Sequence, residues 1–172
     1  ADKGLFKSRG VNVHVDRGNG STDAVPRVAS GAYEFGWAEM SSIIKFNAEH
    51  PDRALVAVYV TDYDSANAVI TVKGRGINAP KDLEGKKVGA TAGSAALDVF
   101  SAFTKANGVD DSKIRHQTVS GSLRESMMVS GDVDAILGAI PYGVFKMKCL
   151  GLKPADIIFM LYSKYGVELC GR

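Results

Sequence analysis

Short apolar segments alternate with helix-like segments along the whole chain, and short joints that contain glycine connect them. Apolar runs of about four to eight residues bounded by turn residues are typical of β-strands. Neighbouring parallel strands need a long crossover connection, which is usually a helix. The alternation therefore predicts an α/β fold with parallel-type sheets flanked by helices.

The predicted elements follow from this pattern. Strands are predicted at residues 11–15, 35–38, 54–60, 68–72, 87–90, 114–119, 134–138 and 157–162. Helices are predicted at residues 21–30, 41–49, 80–85, 95–107, 123–130 and 141–150. Residues 54–60 form an unbroken apolar run, which suits a central strand of a parallel sheet.

Composition excludes several classes of protein. The chain has 172 residues, of which 45% are hydrophobic and 23% charged, and its net charge is +2. This is the mixture of one globular domain or two small ones, not of a disordered, collagen-like or disulfide-rich chain. The balanced charge argues against a nucleic-acid partner or a basic membrane anchor. Apolar runs such as residues 157–162 are much shorter than the ~20 residues of a membrane span.

Three joints between a predicted strand and the following helix have the same composition. They are Gly20-Ser21-Thr22, Gly93-Ser94-Ala95 and Gly121-Ser122. The free N–H groups and the dipole at a helix N-terminus attract anions, and glycine lets a ligand approach the backbone. Serine and threonine that merely cap their helices would explain each joint equally well. Three such joints in one α/β chain nevertheless favour a shared cleft, because ligands in this class bind at the carboxyl ends of the strands.

Aromatic residues near strand ends are candidates for the wall of that cleft. Trp37 is the single tryptophan, and Glu39 beside it is a candidate acceptor; core packing of Trp37 is the alternative. Tyr59, Tyr63 and Tyr142 could supply further aromatic surface.

Motifs of the common enzyme classes are absent from the sequence. It has no Gly-x-Ser-x-Gly elbow, no Walker loop and no His-Glu-x-x-His. The histidines His14, His50 and His116 are scattered, and we expect each to be solvated or packed rather than a catalytic base, on the premise that no carboxylate or thiol partner is near in the sequence. Catalysis, a metal and a cofactor are therefore not indicated.

The two cysteines carry little information. Cys149 and Cys170 could pair, but buried free thiols are favoured, since two widely spaced cysteines make neither a disulfide framework nor a metal signature.

Several stretches of the sequence, in order, resemble solute-binding proteins of ABC importers. They are residues 3–13, 20–38, 76–89 (GINAPKDLEGKKVG), 103–110, 130–135 and 165–169. The most similar group is the nitrate, sulfonate, taurine and thiamine-precursor (NMT1/THI5-like) family, and the resemblance covers essentially the whole chain.

The resemblance implies a bilobed periplasmic-binding-protein fold of type II, with two crossover strands as a hinge. Residues 1–63 would be part of the first lobe without its first strand, and residues 64–71 the outgoing crossover. Residues 72–164 would be the second lobe, and residues 165–172 the return to the first. Because the first lobe would be incomplete, we expect it to be exposed or repaired by a partner chain, for example in a homo-oligomer.

The resemblance also implies a function. The chain would capture a small polar or anionic solute, such as a sulfonate, nitrate or a pyrimidine, between the lobes and deliver it to a membrane permease. It would act in the periplasm or as a lipid-anchored protein, without a cofactor or a nucleic-acid partner. A pyrimidine-synthase-type enzyme and the effector domain of a LysR-type regulator, both on the same architecture, are the alternatives.

The residues that match ligand-facing positions of the family lie in five short stretches. They are Ser21 and Thr22; Trp37, Ala38 and Glu39; Tyr63, Ser65 and Asn67; Gly93, Ser94 and Ala95; and Pro141 and Tyr142.

Overall fold

The structure is a computed structural model, and it describes residues 3–168. The α-helices are α1 (Ser21–Ala29), α2 (Met40–Glu49), α3 (Ala95–Asp98), α4 (Phe100–Ala106), α5 (Arg124–Ser130) and α6 (Ile140–Cys149). The strands are β1 (Asn67–Val72), β2 (Lys87–Ala90), β3 (Arg115–Thr118), β4 (Ala135–Ala139) and β5 (Ile157–Leu161). Cys170 and the end of the predicted return segment 165–172 lie outside the described residues.

All five of these strands belong to one sheet, in the order β3-β2-β4-β1-β5. Strand β2 pairs in parallel with β3 and β4, whereas β1 pairs antiparallel with β4 and β5. The α/β class is confirmed, but the expectation of parallel pairing throughout is wrong. Strand β1 runs against its neighbours, so the residues at its start lie beside the carboxyl end of β4, with Asn67 opposite Ala139.

Alternate residues of the central strands build two cores on the two faces of the sheet. One face carries Val69 and Leu137 and packs against α3, α4 and Tyr162. The other carries Ile70 and Ile136 and packs against residues of α5 and α6. The Tyr162 hydroxyl donates to the carbonyl of Ala96 at 3.0 Å, and burial raises the pKa of Tyr162 well above its ordinary value. The two-sided burial explains why β1 and β4 are nearly continuous apolar runs.

Most elements predicted from residue 67 onward form. The predicted strands at 68–72, 87–90, 114–119, 134–138 and 157–162 correspond to β1 to β5, within one or two residues. The predicted helix at 80–85 is a 3-10 helix, Pro80–Leu83. The predicted helix 95–107 is interrupted at Val99, so α3 and α4 are separate elements.

The three strands predicted before residue 67 do not form. Residues 11–15, 35–38 and 54–60 contain no strand and pair with no other segment of residues 3–168. Val56 is 81% exposed and Val58 76% exposed, although their run is as apolar as β1. A strand is stable only when neighbouring strands bond its N–H and C=O groups, so apolar composition alone is not sufficient. The predicted helices of this part, α1 and α2, are confirmed.

We refer to residues 3–66 as the N-terminal region and to residues 67–168 as the sheet region. None of the helices in the described residues is long and apolar enough to cross a membrane.

Candidate functional site

The first glycine joint begins α1 and lines a cavity of about 420 Å³. Gly20 is the N-cap, with a φ of 118°, but neither Ser21 nor Thr22 caps the helix with its side chain. Instead, the Ser21 hydroxyl accepts a hydrogen bond from the backbone N–H of Glu39 at 3.1 Å. This bond brings Ala38 and the buried carboxyl of Glu39 against the start of α1, and both line the cavity with Trp37.

A direct link connects the first joint to the second. The Thr22 hydroxyl donates to the carbonyl of Gly93 at 2.8 Å. The contact is so close that a Cβ on Gly20 would lie 2.5 Å from the Gly93 oxygen, and a Cβ on Gly93 would lie 2.5 Å from Thr22 Oγ1. Two of the three glycine joints therefore meet, and their glycines are what permits the approach.

Unpartnered polar groups lie in and near the second joint, at one end of the sheet. Ser94 Oγ, Thr91 Oγ1 and Asn67 Nδ2 are buried and find no hydrogen-bond partner among residues 3–168. Thr91 directly follows β2 and contacts the third joint, since a Cβ on Gly121 would lie 3.7 Å from its hydroxyl. Buried polar groups are normally hydrogen-bonded. Three open groups at one end of the sheet are the arrangement expected where a polar ligand binds.

The same end of the sheet carries a buried ionic cluster. Glu125 is completely buried on α5, and Arg124 donates to its Oε1 through Nε at 3.0 Å and also through Nη2. Lys146 of α6 lies 3.0 Å from Glu125 Oε2 and 5.8 Å from the centre of the Tyr142 ring. The cluster therefore lies beside the residues predicted at the start of α6.

The structure distributes the predicted residues over three places. Ser21, Trp37, Ala38 and Glu39 line the cavity at α1; Thr22, Gly93, Ser94 and Ala95 lie at the link; Asn67, Pro141 and Tyr142 lie at or near the carboxyl end of β4. Ser65 is buried and accepts from the N–H of Asn67 at 3.4 Å. Tyr63 is 88% exposed and Trp37 67% exposed, so neither is enclosed.

Thr91 and Arg124 were missed by sequence reasoning. Arg124 follows the third glycine joint, which pointed to this place, but an arginine in the first turn of a helix looks like a solvated residue in a sequence. Thr91 directly precedes the second joint, and only the register of the sheet shows that its hydroxyl is buried there.

A second cavity of about 360 Å³ lies between α1 and α2 and reaches Asp98 of α3. Burial raises the pKa of Asp98, and the charge of Lys45 opposes this effect. Ser42 Oγ also lines the cavity and is unpartnered among the described residues.

Two further expectations need correction. Cys149 is exposed rather than buried. His14 lies 3.0 Å from Asp16 and His116 lies 3.1 Å from Asp111, so two histidines do have carboxylate partners. Both pairs are largely exposed. Within residues 3–168 no cluster of three histidine, cysteine or acidic residues could hold a metal ion.

Solved structures share this fold. A protein of Bordetella bronchiseptica RB50 is 22% identical over 98% of this chain and 55% of its own, with a TM-score of 0.68. The alkanesulfonate-binding protein SsuA from Xanthomonas axonopodis pv. citri, bound to MOPS, is 14% identical over 99% of this chain and 59% of its own, with a TM-score of 0.68. An ABC uptake transporter substrate-binding protein from Streptococcus pneumoniae, with bound histidine, is 16% identical over 98% of this chain and 66% of its own, with a TM-score of 0.69.

These likenesses show a periplasmic-binding-protein-like α/β fold. The chain spans less than two thirds of the length of each of these structures. No curated protein matches it significantly. The sequence model described as NMT1/THI5 like, however, matches residues 1–172. The chain therefore belongs to the NMT1/THI5-like family.

Proposed function

We propose that the chain is the ligand-binding part of an ABC importer's solute-binding protein and captures a small polar or anionic solute. The observation that carries this proposal is the meeting of the glycine joints at Thr22 and Gly93, beside the unpartnered buried groups of Asn67, Thr91 and Ser94. Buried polar groups without partners are costly, so an arrangement that leaves several open is best explained by a ligand that bonds them.

The solute would bind between the N-terminal region and the sheet region. In this proposal residues 1–63 belong to one lobe and residues 72–164 to the other, with residues 64–71 as the outgoing crossover and 165–172 as the return. The hydrogen bond from Thr22 to Gly93 then joins the lobes in the closed form. A ligand that contacts both lobes favours closure by its differential affinity for that form.

The expected solutes are sulfonates, nitrate, pyrimidines and small carboxylates. The positive end of the α1 dipole suits an anionic group, although the N–H groups of Thr22, Asp23 and Ala24 already bond the carbonyls of Gly93 and Gly20. The buried carboxyl of Glu39 at the same end of α1 suits a donor on the solute, such as an amine. The relatives named above include proteins described as binding an alkanesulfonate and as holding histidine, which carry groups of these kinds.

Delivery to a membrane permease and a place in the periplasm, with or without a lipid anchor, belong to the same proposal. They follow from the ABC transporter proteins that share the fold.

A thermal-shift and calorimetric screen of the full chain tests the proposal. Taurine, short alkanesulfonates, nitrate, small carboxylates and pyrimidines are added singly, and at least one should raise the unfolding midpoint. Ser94→Ala should then weaken that compound by about tenfold, because the ligand loses a buried hydrogen bond. Ser101→Ala on the exposed side of α4 is the matched control and should bind normally. Binding by no compound, or equal binding by Ser94→Ala, would contradict the proposed site.

A further inference from the structure

Arg124 occupies a position that its place in the sequence does not explain. It is the first residue of α5 but only 8% exposed. Its guanidinium lies over the backbone of Gly138 in β4, where a Cβ would come within 2.8 Å of Cζ. Any residue other than glycine at position 138 would displace the guanidinium, so β4 leaves room for this one group.

The charges around Arg124 do not cancel. Arg124 and Lys146 are cations, and within residues 3–168 Glu125 is the one anion that both contact. Lys146 alone can neutralise Glu125, since its Nζ lies 3.0 Å from Oε2. The cluster therefore keeps one positive charge in excess. A buried charge in excess is costly unless a group of opposite charge pairs with it.

The guanidinium also has an unused edge. Nε and Nη2 both donate to Glu125 Oε1, and Nη1 makes no hydrogen bond within residues 3–168. Arginine presents its donors as a rigid planar fork, which fits the paired oxygens of a carboxylate or sulfonate. The Glu125 contact fixes one side of the fork and leaves the other available.

This edge lies on the face of the sheet that carries the open hydroxyl of Thr91. Strand β2 pairs with β4 at Val88–Ala135 and Gly89–Ile136, and extending this register by two residues puts Thr91 beside Gly138. Asn67 lies opposite Ala139, the next residue of β4, so its side chain starts on the other face of the sheet. Thr91 Oγ1 is buried and unpartnered among the described residues. Arg124 therefore lies on the same face of the sheet as Thr91, at the end where this hydroxyl is open to a ligand.

We propose that Arg124 is a specificity-determining residue, whose guanidinium pairs with the acidic group of the solute and selects acids over their neutral counterparts. This inference rests on the proposed function and names the substrate class of the same site: a small carboxylate or sulfonate. Glu125 and Gly138 act as positioning residues that hold the fork in place.

Matched ligand pairs test the inference in the full chain. Each pair is an acid and its neutral amide: a short alkanesulfonate with its sulfonamide, and a small carboxylate with its carboxamide. Calorimetry measures both affinities for the wild-type chain, for Arg124→Gln and for Lys105→Gln, which removes an exposed positive charge on α4. The wild-type chain and Lys105→Gln should prefer the acid by at least tenfold, and Arg124→Gln should lose most of that preference while still binding the amide.

Two further variants keep the test decisive if Arg124→Gln does not fold. Gly138→Ala retains every charge but displaces the guanidinium, and Arg124→Lys retains the charge but removes the fork. Both should lower the acid-to-amide ratio several-fold. An unchanged ratio in these variants overturns the inference. A wild-type chain that binds amides as well as acids also overturns it and leaves the proposed function standing, whereas a wild-type chain that binds neither overturns both.

Discussion

The N-terminal region and the sheet region both contain apolar segments, but these segments form strands only in the sheet region. Residues 54–60 are as apolar as β1, yet Val58 is 76% exposed while Val69 and Ile70 are fully buried. The difference is pairing: β1 lies between β4 and β5 and bonds to both. Apolar segments become strands in this protein where at least one neighbouring strand is available to pair with them.

A side chain partly replaces a neighbouring strand in the N-terminal region. The amide of Asn47 on α2 donates to the carbonyl of Leu55 at 2.9 Å and accepts from its N–H at 2.8 Å. This is the bond pattern that a residue on a neighbouring strand would supply. A single amide satisfies one residue only, so it anchors residues 54–60 at one end without ordering them as a strand.

We expect the largest loss of folding stability from a substitution at the centre of the sheet. Ile136→Ala should lower the free energy of unfolding by about 2–5 kcal/mol, because it leaves a cavity in a fully buried core. Val58→Ala should change it by less than about 0.5 kcal/mol, since the side chain is exposed. Chemical denaturation of the two variants measures both.

A large loss for Val58→Ala would show that residues 54–60 are packed in solution, and the contrast between the regions would fail. Leu123→Ala provides a control in the sheet region, since that side chain is 56% exposed. It should behave like Val58→Ala, because exposure and not the region decides the cost.

We expect the next largest loss of folding stability from a substitution at the contact between Thr22 and Gly93, which links the two regions. Gly93→Ala should cost about 2 kcal/mol, because its φ of 73° strains an alanine and its Cβ would meet Thr22 Oγ1. Gly108→Ala is the matched control, with a φ of 64° and no atom within 4 Å of its Cβ. It should show the backbone strain alone, about 1 kcal/mol.

Hydrogen exchange distinguishes where the two glycine variants act. Gly93→Ala should speed exchange along α1, since the hydrogen bond from Thr22 is lost, whereas Gly108→Ala should leave α1 unchanged. Equal exchange of α1 in both variants would mean that the link does not hold the two regions together.

Periodicity and turn residues predicted the sheet region well because its central strands β1 and β4 are buried on both faces and therefore read as continuous apolar runs. The same signals failed at residues 11–15, 35–38 and 54–60, because the availability of a pairing partner is not a local property of a sequence. The prediction of parallel pairing failed for β1 for the same reason. Its antiparallel pairing with β4 is set by contacts between residues about 68 positions apart in the chain.

The candidate site was predicted in part. Glycine beside serine or threonine marked the joints, and two of these joints meet through Thr22 and Gly93. The alternative explanation, that Ser21 or Thr22 merely caps α1, does not hold, because both hydroxyls bond other segments instead. Arg124 was not predictable, since its burial depends on the absence of a side chain at Gly138, fourteen residues away.

A smaller effect is expected from the amide that anchors residues 54–60. Asn47→Ala should cost about 1 kcal/mol, since it removes two hydrogen bonds that are only partly shielded from water. Exchange of the Leu55 N–H should become fast in this variant. Asn12→Ala, at an exposed position of the same region, should change neither quantity. Slow exchange of Leu55 in Asn47→Ala would indicate that another group pairs with it.

We expect the smallest change in folding stability from Glu84, on the surface of the sheet region, and this change depends on pH. The Lys81 ammonium, 2.6 Å from Oε1, and the N–H of Asp110 lower the pKa of Glu84 from 4.5 to about 2. A carboxyl whose pKa is lowered by folding stabilises the fold above its unfolded pKa, and this contribution is lost as the pH falls from about 4.5 to about 2. Glu84→Gln should therefore unfold at a lower temperature than the wild-type chain at pH 7, and the gap should close near pH 2. Lys81→Met removes the first partner only and should show a smaller gap with the same pH dependence, because the N–H of Asp110 and Lys113 still stabilise the carboxylate. A gap that persists at pH 2 would mean that Glu84 acts through packing, and the charged contacts around it would then contribute nothing to the stability of the sheet region.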